Sequence, residues 1–224
     1  MASAIEVTEF RIAQAGIVLL AQEELNAFLL SLDYENPTAV INALLLYMPE
    51  LVSEYGEIGA AVAVDYYDEL REQSSADTDY GATMATLPLA AAVQGSVRWA
   101  AGPLFLDEPD PIQLAKNLNQ INDRFVKMAA RDTISLSAAK DPSKARYARV
   151  PSGGTTCKYC LMLASRGAVY ADSKKAAEAN KFHGNCDCQM VPMWDGDDYP
   201  RGYSPEELYD QYKALEDAEK ASKT

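Results

Sequence analysis

The chain has 224 residues, 48% of them hydrophobic, which is enough for one large domain or two small ones with a buried core. A formal net charge of −13 disfavours a general nucleic-acid-binding surface, and no run is long and apolar enough to span a bilayer. The opening Met1-Ala2-Ser3-Ala4-Ile5-Glu6 puts acid where a signal peptide carries base, so a secreted, disulfide-stapled protein is not expected.

The first 140 residues read as helix. Ala21, Leu25, Phe28, Leu29 and Leu32 recur at three- and four-residue steps and share one helical face. Asn36-Pro37 is a start signal, with Asn as N-cap and Pro where a missing N–H does no harm. Val40, Ile41, Leu44, Leu45 and Met48 form the next stripe, and Pro49 is expected to break or kink the chain. A longer helix is then expected from about 50 to 73, with Leu51, Tyr55, Ile58, Val62, Tyr66 and Leu70 facing inward. Residues 74–81 read as loop, and 86–101 as an Ala-rich helix closed by Gly102-Pro103. Asp110-Pro111 repeats the cap-then-proline signal, followed by Leu114, Leu118, Ile121, Phe125 and Met128.

Around Asp141-Pro142 the character changes. From Tyr147 to Trp194 the chain is short of helical period and rich in turn residues, with one helical turn expected at 161–164. Short strands are expected at 168–170 and 189–191. After an acidic loop, Asp195 to Asp198, Ser204-Pro205-Glu206-Glu207 fits a capping box, and Leu208, Tyr212 and Leu215 mark one side of a last helix. That helix either folds back or docks on another subunit. Charge follows the same division. Residues 1–110 hold 18 acidic against 3 basic side chains, residues 116–193 hold 6 against 13, and the tail is acidic again. Solvation explains the acidic part, whereas the basic part suits phosphate or an acidic protein surface.

All four cysteines and the only histidine fall in the turn-rich segment, as Cys157-x2-Cys160 and His183-x2-Cys186-x-Cys188. This spacing suits a structural zinc ion. Two disulfides, a redox dithiol at Cys157/Cys160, and plain buried cysteines are the competing readings; a dithiol leaves the second cluster without a purpose. Five candidates exceed the four ligands such an ion takes, so one of His183, Cys186 and Cys188 is expected outside the ligand set. Lys158, Lys181 and Arg166 lie close in sequence and are expected to offset the thiolate charge. With four protein ligands no position is left for water, which marks the site as structural. No G-x-S-x-G, H-E-x-x-H or P-loop occurs, and a zinc-deaminase reading fails because Asn185 stands where the catalytic Glu belongs. No catalytic residues are assigned, and the chain is not expected to be an enzyme.

The stretch Ala148-Arg149-Val150-Pro151-Ser152-Gly153-Gly154-Thr155-Thr156-Cys157-Lys158-Tyr159-Cys160, continuing to Gly167 and then Phe182-His183-Gly184-Asn185-Cys186-Asp187-Cys188, resembles the phage Mu F-like minor head proteins. The likeness is to the versions found in phages and prophages of actinobacteria. The helix carrying Arg131-Asp132-Thr133 is similar to the one leading into that family's module, so the resemblance covers about residues 120–193. It implies a minor head protein made in the host cytoplasm and built into the virion head, at the capsid interior or portal vertex. The portal protein, the major capsid protein or both are the implied partners, with packaged DNA a further contact through residues 116–193 and no membrane. The presumed metal-site residues of the family map onto Cys157, Cys160, His183, Cys186 and Cys188. Asp187 stands where many relatives have Arg, which weakens a DNA contact at that turn.

The expected fold is α+β, mainly α. It comprises a helical region at 1–140, a Cys/His-rich, zinc-stabilised module at 141–194, and an acidic linker with a helix at 195–224. The expected role is head assembly or handling of packaged DNA. A capsid maturation protease and a zinc-dependent nucleic-acid-binding module are the alternatives.

Overall fold

Both cap-then-proline signals start helices. Asn36 accepts from the Ala39 N–H at 3.1 Å and Asp110 from the Gln113 N–H at 2.8 Å. In the computed structural model, which describes residues 4–153, 156–170, 186 and 188–222, helix α1 spans Ala4–Leu30, α2 Pro37–Glu72, α3 Ala90–Ala100 and α4 Pro111–Lys140, with a short 3-10 turn at Gly102–Phe105. Strand β1 (Arg146–Val150) pairs antiparallel with β2 (Gln189–Met193), Arg149 opposite Met190. Helix α5 (Lys158–Ala164) lies between them in sequence, and α6 (Pro205–Ala221) closes the chain. The fold is α+β and mainly α.

Helices α2 and α4 form the spine. They cross closely where α2 carries Gly56, Gly59 and Ala60. A Cβ on Gly59 would already stand 3.4 Å from the Val126 carbonyl of α4. On one side of this crossing lies a purely helical core of Leu25, Leu44, Met48, Leu51, Val97, Leu104, Leu114 and Leu118. On the other side Val7, Phe10, Tyr66, Tyr67, Leu70 and Ile134 pack with Tyr147, Leu163, Tyr170, Met190, Trp194 and Tyr203. The sheet, α5 and the helical spine therefore share one core there.

Several expectations are corrected. Pro49 does not break the chain: α2 continues through it. Proline removes the N–H that would bond to the Leu45 carbonyl. Gln94 of α3 fills the gap, its Nε2 donating to that carbonyl at 3.1 Å. Ile58 points outward and is 45% exposed, because the glycines and Ala60 take the inward face at the crossing. The third helix starts at Ala90 rather than 86, since Pro88 disfavours helical backbone at the residue before it. Residues 82–85 carry no regular secondary structure instead. Their N–H groups donate to Asp68 at 2.7 Å, Ser137 at 3.0 Å and Thr133 at 3.1 Å. Residues 168–170 contribute only a bridge, Tyr170 to Tyr147, rather than a strand. Gly167, which ends α5 at φ +69°, needs to be glycine: a Cβ there would run into the Tyr199 hydroxyl.

The last helix folds back. It packs on α5, and Lys158 Nζ meets Glu219 Oε2 at 2.6 Å.

Candidate metal centre

The centre is assembled from α4, β1, α5 and the two residues that lead into β2. Cys157 caps α5 with sulfur in place of the usual oxygen, accepting from the Cys160 N–H at 3.3 Å. The cap turns the helix so that Cys160 points inward, where it is 2% exposed. Cys186 and Cys188 are equally buried, and the three sulfurs lie within 4.8 Å of one another, Cys160 to Cys186 at 3.6 Å. Tetrahedral zinc at about 2.3 Å from each sulfur sets sulfurs about 3.8 Å apart, so a thiophilic ion fits this nest with little movement.

Two buried arginines enclose it. Arg149, fully buried in β1, points Nη2 at Cys186 Sγ (3.4 Å) and Cys160 Sγ (3.7 Å). Arg131, 2% exposed in α4, donates from Nη2 to the carbonyls of Cys186 (2.6 Å) and Cys188 (3.3 Å), which ties both residues to the spine. A buried cation is costly unless an anion answers it, so these guanidinium groups mark the sulfurs as the negative partner. Hydrogen bonds from Cys160 and Cys188, then the charge of Arg131, pull the Cys186 thiol far down against the effect of burial. The hydrogen bonds to Cys186 and Cys188, with burial, push Cys160 up. At Cys188 the hydrogen bond with Cys160 acts downward. The one to Cys186, burial and the Cys186 charge outweigh it, so the thiol is pushed up to about 12. Cys186 is thus the sulfur these surroundings most favour as thiolate, and a divalent ion binding here would displace thiol protons.

The five sequence candidates thus divide. Cys160, Cys186 and Cys188 come together and Cys157 stands at the rim, exposed and bonded to the Cys160 backbone. His183 lies outside the described residues. The expected charge compensation is corrected for Lys158, which is turned to Glu219; the Arg166 guanidinium lies 3.9 Å from the Met162 sulfur, and Lys181 is outside the described residues. Arg131 and Arg149 do that work. Their signal was in the sequence: Arg131 continues the inward stripe three residues past Met128, and Arg149 alternates with Tyr147 on one face of β1.

Asp141 pins this end of the molecule to the spine. It accepts from Arg71 Nε at 2.9 Å, Tyr67 at 3.0 Å, the Trp194 indole at 3.1 Å and the Ser143 N–H at 2.8 Å. Burial alone would raise its pKa, but these donors outweigh burial and hold the carboxyl below its ordinary value.

Among the described residues no helix is long and apolar enough to cross a membrane. No solved structure matches the chain. It is similar to the Gene 15 protein of Mycobacterium phage L5, 25% identical over 71% of this chain and 67% of that protein. The Gene 15 protein of Mycobacterium phage D29 is 26% identical over 71% of this chain and 69% of that protein. The family model of the VG15 protein matches residues 1–215, and the chain belongs to this family of phage proteins.

Proposed function

We propose that this member of the VG15 family is a minor component of the phage head, a structural protein that associates with the portal or procapsid during assembly. The observation that carries the structural reading is the enclosed sulfur nest, three buried cysteines sealed by Arg131 and Arg149. Its residues are spent on holding backbone, with the carbonyls and sulfurs already engaged by the two guanidinium groups. Bound zinc supplies a rigid crosslink and no reaction. Cys157 at the rim or His183 provides the fourth ligand. Charge favours Cys157: four thiolates around a divalent ion carry about −2, which the two buried arginines balance.

The placement in the head draws on the resemblance of residues 120–193 to the Mu F-like minor head proteins, and on the phage kinship. The test is quantitative mass spectrometry of purified procapsids, full heads and tails from the phage or prophage that encodes the chain. The protein is expected in procapsids at few copies, and in heads separated from tails. Its absence from both particle types sinks the proposal. A protease role predicts instead that His183 or serine substitutions stop cleavage of the coat protein while the chain stays folded.

A further inference from the structure

A second cleft, away from the cysteines, lies between the beginning of α1, the end of β1 and the turn before α6. Its volume is about 220 Å³. Arg11 and Arg201 line it, with the hydroxyl-bearing Thr8 and Ser152 beside them and buried Val150 and Tyr203 among its apolar walls. No acidic residue is among its lining. Neither arginine forms an ion pair among the described residues.

Composition does not account for this convergence. Arg11 is one of only three basic residues in the first 110, and Arg201 follows the acidic loop at 195–198. Two arginines from positions 190 residues apart line one cleft, where their like charges repel and a bound anion would offset that repulsion. Their backbone is fixed on both sides. Arg11 follows Val7 and Phe10, both sunk in the shared core. Arg201 sits at the corner of the turn that the Tyr203 N–H closes on the Pro200 carbonyl at 3.0 Å, with Gly202 at φ +87°. Tyr203 itself is anchored, its hydroxyl donating to the Ala164 carbonyl at 2.6 Å. We propose that this cleft is an oxyanion site that takes a phosphate group. Guanidinium forks match phosphate oxygens, and donors arriving from several elements suit a tetrahedral anion better than a planar carboxylate. The proposal stands apart from the metal centre and from the head assignment.

The phosphate is either a free anion or part of a nucleic-acid strand, and two probes separate these sources. The full chain is titrated by calorimetry at low salt with inorganic phosphate, with acetate at matched ionic strength, and with a short single-stranded oligonucleotide. Arg11→Gln and Arg201→Gln are each expected to weaken phosphate binding about tenfold or more, Arg11→Lys less, and Arg98→Gln, an exposed arginine of α3, not at all. Thermal melts establish that each variant is folded. Oligonucleotide binding that is tighter than phosphate and lost in the same variants assigns the site to a phosphodiester; otherwise the free anion is the ligand. Absence of saturable phosphate binding, equal binding of acetate, or an equal loss in Arg98→Gln overturns the proposal.

Discussion

The two ends of the α2–α4 spine are held together by different chemistry. Beyond the glycine crossing toward the N-terminus of α4, the core is almost wholly aliphatic, Leu25, Leu44, Leu51, Leu104, Leu114 and Leu118 meeting across three helices and the 3-10 turn. At the opposite end, apolar burial is interleaved with groups that are expensive to bury: Asp141, Arg131, Arg149 and three cysteines. Apolar burial is tolerant, since any side chain of about the right volume fills a helical core at modest cost. Buried charge is not tolerant. Each partner is stable only while the other is present. The aliphatic end therefore supplies stability that degrades gradually, and the cysteine end supplies an arrangement that holds completely or fails.

Chelation breaks this comparison most forcefully. If zinc fills the nest as proposed, removing it, or substituting Cys188→Ser, is expected to cost about 5 kcal/mol or more. Thiol titration should then show all four cysteines reactive, and far-UV circular dichroism should retain most of its helical signal. If the whole helical signal disappears at the same chelator concentration, the two ends are one cooperative unit. Next comes Arg149→Met, which removes the buried cation that faces the sulfurs. About 3–5 kcal/mol of destabilisation is expected in a denaturant melt. Metal affinity should also fall by about 10- to 100-fold, whereas Leu114→Ala in the other core leaves metal affinity unchanged.

Asp141→Asn probes the link to the spine, and about 3 kcal/mol is expected from the loss of its charged hydrogen bonds. The pH dependence has a definite sign. A carboxyl held below its ordinary value contributes stability above about pH 4, and the contribution is lost as pH falls through the folded-state pKa. Melting temperatures of the native chain and the Asn variant should therefore differ at pH 6 and converge as pH falls below the folded-state pKa. The smallest effect sharpens the aliphatic side. Gln94→Ala is expected to cost about 1 kcal/mol by orphaning the Leu45 carbonyl, and less in a Pro49→Ala background, where the restored N–H reaches that carbonyl.

What could be read from the sequence follows the same divide. Helical period and capping located α1, α2, α4 and α6, because those elements are governed by local rules that Asn36, Asp110 and Ser204 obey. The grouping of the cysteines pointed to the centre for the same reason. The missed features depend on distant partners. Pro49 looked like a break because Gln94, 45 residues on, is invisible to a local rule. Arg131 and Arg149 looked like ordinary basic residues because nothing nearby in sequence shows which carbonyls and sulfurs they meet. Ile58 was misplaced because a stripe rule cannot foresee that α4 approaches too closely for anything larger than Gly or Ala.

The pairing of β1 with β2 also bears on time. Val150 meets Gln189, so the sheet closes a long loop, and Cys186 and Cys188 are delivered only with its second strand. The helices of the spine form from contacts nearer in sequence, and such contacts are made fastest. On the ribosome β2 also emerges after α1, α2, α4 and β1, all of which it packs against. Assembly of the sulfur nest is thus a late event of folding, and until then the exposed thiols and the unpaired β1 edge are the features of the nascent chain most open to oxidation and mispairing.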